Sequence, residues 1–269
     1  DQGKEKLQNV RNQLAEVNPD FFSVTFGAGG STRDRTIETV LNLHSQGIST
    51  APHLSCVGGT RQEIGELLDL YREHGINRIV ALRGDMPSGM GAAGELRYAN
   101  ELVEFIREHS GDNFNLEVAA YPEFHPQARN AEEDLKNFAR KVQAGANSAI
   151  TQYFFNADSY FYFIDRLEKM GVTIPVVPGI MPIVNFSNLV RFSDMCGAEI
   201  PRWIRKQLEA YGDDSDSIRQ FGEEVVTEMC EKLLAAGAPG LHFYTLNQVE
   251  PSISIWKNLG ISEREKIAF

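Results

Sequence analysis

Apolar runs rich in β-branched and aromatic residues recur along the chain. Seven of them have the length of a strand, at residues 21–27, 49–56, 78–84, 116–122, 148–154, 174–180 and 240–247. Most are nearly continuous rather than alternating in polarity, which is typical of strands buried on both faces. The pattern therefore predicts seven strands of a parallel sheet.

Segments with the period of an amphipathic helix separate these runs. We expect helices over 4–17, 34–46, 61–74, 95–109, 131–144, 158–170, 187–196 and 216–236. Thr60 with Glu63 fits a capping box, and Asp158 and Ser187 are candidate N-caps. Glycines stand near six of the helix ends, where a left-handed residue often terminates a helix. They are Gly47, Gly75, Gly111, Gly145, Gly171 and Gly237.

Strands and helices alternate at the spacing of βα units, which predicts the α/β class. A (β/α)₈ TIM barrel needs eight strands and about 250 residues. The chain has 269 residues, seven predicted strands and a helix before the first of them. We therefore expect one barrel domain over 1–269 whose first strand is missing from this sequence. A doubly wound sheet is the alternative.

The amino-acid composition limits the classes of molecule that this protein is expected to bind. Hydrophobic residues make up 42% and the formal net charge is −11, with no basic cluster. We therefore expect small-molecule ligands, and neither nucleic acid nor an anionic membrane as a partner. No apolar run approaches the roughly 18–20 residues of a membrane span, and no signal-peptide pattern opens the chain. Three cysteines without metal-ligand spacing favour a reduced, cytoplasmic compartment.

Polar residues collect at the predicted carboxyl ends of the strands, where barrels carry their active sites. The residues at these ends are Thr25 with Phe26, His53, Arg83 with Asp85, Tyr121 with His125, Gln152, Pro178 to Pro182, and Thr245 with Asn247. The glycine-rich segment 27–36 follows a strand, but Thr32 stands where a dinucleotide fingerprint needs its third glycine. We interpret it as a tight loop and not as a Rossmann module.

Two segments allow both a structural and a functional interpretation. Arg83 and Asp85 flank Gly84, either as a structural ion pair or with the carboxylate directed at a bound ring. Within the predicted helix over 131–144, residues 131–142 have an apolar stripe and one polar flank. That flank is either a solvated face or an anchor for ribose and phosphate, and it contains Asp134, Asn137 and Lys141, with Arg140 just beyond.

The sequence contains no residue pattern typical of a metal site or of nucleophilic catalysis. His53, His125 and His242 lie at or near strand ends, but no pair has the spacing of a local ligand motif. No Ser–His–Asp or Cys–His arrangement can be assigned. The sequence therefore predicts no metal site, although a metal-dependent barrel hydrolase stays open as a rival.

Seven segments in order resemble the motifs of the methylenetetrahydrofolate reductase family in its bacterial, single-domain form. They are SVTFGAGGSTRDRT, APHLSCVGGTRQEI, IVALRGDMP, VAAYPEFHPQA, AGANSAITQYFF, PVVPGIMPI and LHFYTLN. The resemblance covers essentially the whole chain. It implies a flavin-containing barrel that reduces 5,10-methylenetetrahydrofolate to 5-methyltetrahydrofolate with NAD(P)H, supplying methyl groups for methionine synthesis. It further implies ping-pong kinetics, NADH as the reductant, and a homo-oligomer.

The resemblance also implies which residues bind FAD. The contacts would be Phe26, Ala28, His53, Arg83, Gly84, Asp85, Tyr98, Ala99, Ala119, Tyr121, His125 and Ala128, with Asp134, Asn137, Arg140 and Lys141 at the adenosine and phosphate end. The substrates would meet Thr25, Asp85, Gln152, Asn188, Phe192 and Gln248. Asp85 and Gln152 would be catalytic, Asp85 by stabilising a folate cation.

Two positions depart from the family pattern. The glutamate proposed as the family's general acid would fall before Asp1, together with the missing strand. Gln248 stands where bacterial relatives often have a substrate-binding arginine, so the folate-tail contacts differ. A barrel that binds folate or flavin without catalysis is therefore a second rival.

Overall fold

The computed structural model describes residues 2–26, 33–57, 59–84 and 94–261. Its helices are α1 (Gln2–Ala15), α2 (Arg33–Ser45), α3 (Arg61–Glu73), α4 (Ala99–Ser110), α5 (Ala131–Gln143), α6 (Ala157–Lys169), α7 (Phe186–Cys196), α8 (Arg202–Tyr211), α9 (Ser215–Ala235) and α10 (Ser252–Asn258). Its strands are β1 (Phe22–Val24), β2 (Thr50–Ser55), β3 (Arg78–Leu82), β4 (Asn115–Ala120), β5 (Ser148–Thr151), β6 (Val176–Val177), β7 (Gly179–Ile180) and β8 (His242–Phe243).

The strand order follows the chain. Six strands form a sheet in the order β1-β2-β3-β4-β5-β6, and β7 pairs with β8. The pairing is parallel, with Phe22 opposite Thr50 and Val80 opposite both His53 and Glu117. A helix separates each successive pair from β1 to β6. A doubly wound sheet reverses its strand order, whereas this order is the one found in a (β/α)₈ barrel, so the predicted fold class is confirmed.

The contacts divide the chain into two compact units. The first contains residues 20–120 and 135–149, and the second contains 1–19, 121–134 and 150–269. The core of the first unit is formed by strand residues such as Ile79 and Val80 and by Leu102 and Ile106 of α4, which are almost wholly buried. This core supports the carboxyl ends of β1–β4. The single-domain prediction for 1–269 stays a prediction.

The second unit has its own apolar core. Phe154 and Tyr160 stack with ring centroids 5.9 Å apart, and both rings are buried. Val226 and Leu233 of α9 and Leu208 of α8 are fully buried as well. This core carries the end of β5 and the helix α7, which hold several of the predicted substrate contacts. In the described ranges, no helix has the length and apolar character that crossing a membrane requires.

Local signals at the helix ends are confirmed in part. Thr60 and Glu63 form the predicted capping box, and all six predicted terminal glycines have a positive φ. The N-cap predictions for Asp158 and Ser187 are wrong. Asn156 caps α6 by accepting from the Asp158 main-chain N–H, and Asn185 caps α7 in the same way. An asparagine before the first helical residue reaches these amides, so each helix begins earlier than predicted.

Several element boundaries also differ from the prediction. The strand expected over 174–180 is split into β6 and β7, because Pro178 has no N–H to donate to a ladder. The helix expected from residue 95 begins only at Ala99, after its N-cap Tyr98. The helices α8 and α10 were not predicted. With seven residues, α10 is too short to show a clear period.

Candidate active site

The carboxyl end of β3 lies against the residue that ends β2. The main-chain carbonyl of Arg83 accepts from the Ser55 hydroxyl at 2.8 Å and from the Val57 N–H at 3.1 Å. Gly84 follows with φ +84, and a Cβ there would stand 1.9 Å from Ser55 Oγ. The glycine is therefore required by both its conformation and this close approach. Arg83 Nε donates to the Gly84 carbonyl at 3.4 Å.

Other predicted contacts of the first unit follow β1, lie in β2 or begin α4. Thr25 is exposed and Phe26 half-buried, and the Thr25 carbonyl accepts from the Thr36 hydroxyl at 3.1 Å. His53 is half-buried within β2. Tyr98 is 57% exposed, and its main-chain N–H donates to the Glu101 carboxylate that completes the turn into α4. Ala99 is the first residue of that helix.

The polar flank of α5 and the end of β4 meet in the first unit. The Lys141 ammonium donates to the main-chain carbonyl of Ala119, near the carboxyl end of β4. Arg140 Nη1 donates to Asn137 Oδ1 at 2.6 Å, one turn earlier on the helix. Four predicted contacts are thus brought together in two pairs. They place two cationic side chains on the helix that follows β4.

The loop after β4 is held by hydrogen bonds around His125. Its main-chain N–H donates to Asp134 Oδ2 at 3.0 Å, and its carbonyl accepts from the Ala128 N–H at 2.9 Å. The Gln127 N–H donates to His125 Nδ1 at 3.0 Å. Nδ1 is therefore an acceptor, and the neutral imidazole carries its proton on Nε2. The Tyr121 ring meets the imidazole edge-on at 4.5 Å.

Gln152 follows β5 and lies at a small cavity of about 10 Å³. Its Oε1 accepts from the Tyr153 N–H at 3.0 Å, so the amide nitrogen is the end of this side chain that can donate. Tyr121, Glu123 and Cys196 line the same cavity. Burial raises the pKa of the Glu123 carboxyl, whose Oε2 accepts from the Glu199 N–H at 2.8 Å.

The remaining substrate predictions lie on α7 and after β8. Asn188 is exposed and Phe192 half-buried, one helical turn apart on the same side of α7. Arg191 lies over the Phe192 ring at 5.1 Å. Gln248 is exposed, and its N–H donates to the Thr245 carbonyl in the turn after β8. Ala28 and Asp85 lie outside the described residues.

Sequence reasoning missed a set of buried polar residues around Gln152. Thr151 is fully buried, its carbonyl accepts from the Tyr244 hydroxyl at 2.7 Å, and its Oγ1 accepts from the Gly179 N–H at 2.8 Å. Tyr153 and Ser193 form a further buried pair. Each of these residues is an ordinary strand or helix residue in the sequence, so only their spatial contacts reveal them.

The histidines do not gather around a metal. Burial lowers the pKa of His242 to about 4, so this imidazole is neutral at pH 7. Among the residues that the structure describes, no group of three or more His, Cys, Asp or Glu side chains is arranged to hold a metal ion.

A sequential parallel βα fold with polar groups after the carboxyl ends of its strands is the architecture of a barrel enzyme. The family model of methylenetetrahydrofolate reductase matches residues 1–260. The 5,10-methylenetetrahydrofolate reductase of Escherichia coli is 40% identical over 259 residues, covering 96% of this chain and 86% of that protein. The chain belongs to the methylenetetrahydrofolate reductase family and is an oxidoreductase.

A plant relative agrees with this assignment, and a solved structure shows the same fold. The Zea mays methylenetetrahydrofolate reductase (NADH) 1 is 36% identical over 282 residues, covering all of this chain and 48% of that protein. A solved structure of an uncharacterized protein from Clostridium thermocellum, which binds two copies of 5-methyl-5,6,7,8-tetrahydrofolic acid, matches with a TM-score of 0.64 at 18% identity. That match covers 96% of this chain and 87% of the other, and it shows a shared fold.

Proposed function

We propose that this protein reduces 5,10-methylenetetrahydrofolate to 5-methyltetrahydrofolate with FAD as bound cofactor and NADH or NADPH as co-substrate. The two substrates would use the same site in turn, which is a ping-pong mechanism. The product would supply methyl groups for methionine synthesis. We further propose NADH as the reductant, a cytoplasmic location and a homo-oligomeric state, as the family resemblance implies.

The observation that carries the FAD proposal is the polar flank of α5. The chain is strongly acidic overall, yet Arg140 and Lys141 are adjacent cations on the helix that follows β4. Lys141 is held at the Ala119 carbonyl and Arg140 at the Asn137 amide oxygen. A dinucleotide carries a doubly charged pyrophosphate, which guanidinium and ammonium groups bind well. These residues therefore fit the adenosine and phosphate end of FAD.

The loop after β4 fits the remainder of the cofactor. When bound, the flavin would supply the ring that exchanges hydride with the two substrates. The neutral imidazole of His125 would offer its Nε2–H as a fixed donor, because Nδ1 already accepts from Gln127. Tyr121 supports the orientation of that imidazole by its edge-on contact. At the end of β3, the missing side chain of Gly84 makes room for Ser55, which fixes the backbone of this predicted flavin contact.

The substrate residues would orient the folate and the nicotinamide. The amide nitrogen of Gln152 would donate to a bound ring, since its Oε1 is engaged by Tyr153. Asn188 and Phe192 share one side of α7, so an amide and an aromatic face would bind the same ligand. Asp85 would supply the carboxylate that stabilises the folate cation formed on ring opening. Thr25 would complete the site, and Gln248 would give a neutral contact to the folate.

An absorbance experiment on the purified full-length protein tests this proposal. We expect the flavin absorbance of a yellow protein, bleached by NADH under anaerobic conditions and restored by 5,10-methylenetetrahydrofolate. Parallel lines in double-reciprocal plots would support the ping-pong order. A colourless protein containing zinc would instead favour the metal-dependent hydrolase. Flavin that NADH does not bleach would favour a barrel that only binds its ligands.

A further inference from the structure

A buried pair of hydroxyl groups links β5 to α7 in the second unit. Tyr153 and Ser193 are each 3% exposed, and their hydroxyl oxygens lie 3.0 Å apart. Tyr153 directly follows Gln152 in the chain, and Ser193 directly follows Phe192. One hydrogen bond therefore joins the immediate neighbours of two proposed substrate contacts, which are forty residues apart in sequence.

At the end of β5, both neighbours of Gln152 in the chain are fixed by contacts with other residues. On the preceding residue, the Thr151 carbonyl accepts from the Tyr244 hydroxyl and Thr151 Oγ1 accepts from the Gly179 N–H. On the following residue, the Tyr153 ring lies 6.5 Å from the Tyr244 ring and 5.8 Å from the Phe155 ring. These ring contacts hold the Tyr153 phenol in place just beyond the end of β5.

The helix side of the link is the last turn of α7. The helix begins at the Asn185 cap and ends at Gly197, where a Cβ would stand 2.9 Å from Pro126 Cγ. In that turn, the Ser193 hydroxyl shares a hydrogen bond with the Tyr153 hydroxyl. Burial raises the pKa of the Tyr153 phenol, which therefore keeps its proton at ordinary pH and can donate or accept in this bond.

We propose that Tyr153 and Ser193 are positioning residues for the substrate site. Their hydrogen bond holds α7, with Phe192 and Asn188, at a fixed place relative to Gln152. Neither hydroxyl needs to touch a substrate for this role. The inference rests on the proposed function, because it takes Gln152, Asn188 and Phe192 as substrate contacts.

Three variants separate positioning from simple stabilisation. Tyr153→Phe leaves the Ser193 hydroxyl without the phenol, and Ser193→Ala leaves the phenol only its contact with the Cys196 thiol, so each lowers the melting temperature. The double variant leaves no unpaired hydroxyl, and its melting temperature recovers most of the loss. Because all three variants lack the link, we expect each to raise KM for 5,10-methylenetetrahydrofolate about tenfold, with a smaller change in kcat.

Tyr160→Phe is the matched control. The Tyr160 hydroxyl is also buried in the second unit and donates to the Val176 carbonyl at 2.8 Å. It lies on α6 and takes no part in the proposed site. We expect this variant to lower the melting temperature while KM for the folate stays within about twofold of the wild type.

The outcomes fall into distinct groups. A raised KM that persists in the double variant after its melting temperature has recovered supports the proposal. Recovery of KM together with the melting temperature would overturn it, because the pair would then only stabilise the fold. An active wild type whose three variants keep the wild-type KM would overturn the positioning role alone. A wild type without reductase activity would overturn the proposed function and this inference with it.

Discussion

Gly84 approaches Ser55 so closely that any side chain at residue 84 would collide with the serine. A Cβ would stand 1.9 Å from Ser55 Oγ and 3.0 Å from Ser55 Cβ. The serine cannot turn away without loss, because its hydroxyl donates to the Arg83 carbonyl and accepts from the Val57 N–H. The carboxyl ends of β2 and β3 are therefore fixed against each other by a glycine and a hydroxyl.

Gly84→Ala is expected to lower the free energy of unfolding by about 2–4 kcal/mol, through a strained positive φ and the clash together. Gly237→Ala is the control, since its φ is +89 and nothing lies within 4 Å of the added Cβ. That control should lose only about 1–2 kcal/mol. Urea denaturation of both variants measures the difference. Equal losses would show that the contact with Ser55 does not contribute to the free energy of unfolding.

Stability should fall in acid because of His242. Its pKa is lowered to about 4 from the ordinary 6.5, since burial disfavours the charged imidazole. Between pH 6.5 and 4 the unfolded chain binds a proton at this residue that the folded chain does not. The free energy of unfolding should therefore decrease by about 2–3 kcal/mol as the pH falls through that range.

His242→Gln removes this titration. Urea denaturation at several pH values should show a shallower decline for the variant than for the wild type between pH 6.5 and 4. The difference between the two curves isolates His242 from the other groups that titrate there. Curves of identical slope would contradict the lowered pKa of this imidazole.

Arg140 should anchor FAD through its charge. Arg140→Ala removes one charge-assisted contact to the pyrophosphate, so we expect the dissociation constant for FAD to rise about ten- to a hundredfold. Lys136→Ala removes a cation from the same helix outside the predicted contacts and should change it less than about twofold. Fluorescence titration of the two apoproteins with FAD decides between them. An equal change in both would mean that only the overall charge of α5 matters.

Asp85→Asn should slow one half of the reaction. If the carboxylate stabilises the folate cation, reduction of 5,10-methylenetetrahydrofolate should slow by about 10²–10³. Oxidation of NADH develops no folate cation and should change by less than about tenfold. Anaerobic stopped-flow measurements follow each half separately. Equal losses in both halves, with a lowered melting temperature, would assign Asp85 to a structural ion pair.

The order of the strands and of most helices could be predicted, because nearby residues mark where each of these elements begins or ends. Continuous apolar runs, terminal glycines and the Thr60–Glu63 box each depend only on nearby residues. The N-caps of α6 and α7 were displaced by two residues because Asn156 and Asn185 compete with later residues that have equally suitable side chains. The division of one strand into β6 and β7 depends on the missing N–H of Pro178 and on which partner each flanking residue finds.

Much of the candidate site could also be predicted, because its residues follow strands that the sequence marks. In a parallel sheet the carboxyl ends of the strands share one edge, so residues such as His53, Arg83 and Gln152 were singled out. The buried pairs could not be found in this way. Arg78 with Glu117, and Tyr153 with Ser193, each join residues about forty positions apart. A sequence pattern does not show which of many buried side chains meet.

Product analysis tests the central claim most directly. The purified full-length protein is incubated anaerobically with NADH and 5,10-methylenetetrahydrofolate, and both products are quantified by chromatography. The account predicts that NAD⁺ and 5-methyltetrahydrofolate form in equal amounts, one hydride being transferred in each turnover. NADH consumption without formation of 5-methyltetrahydrofolate, or no consumption of either substrate by flavin-loaded protein, would contradict it.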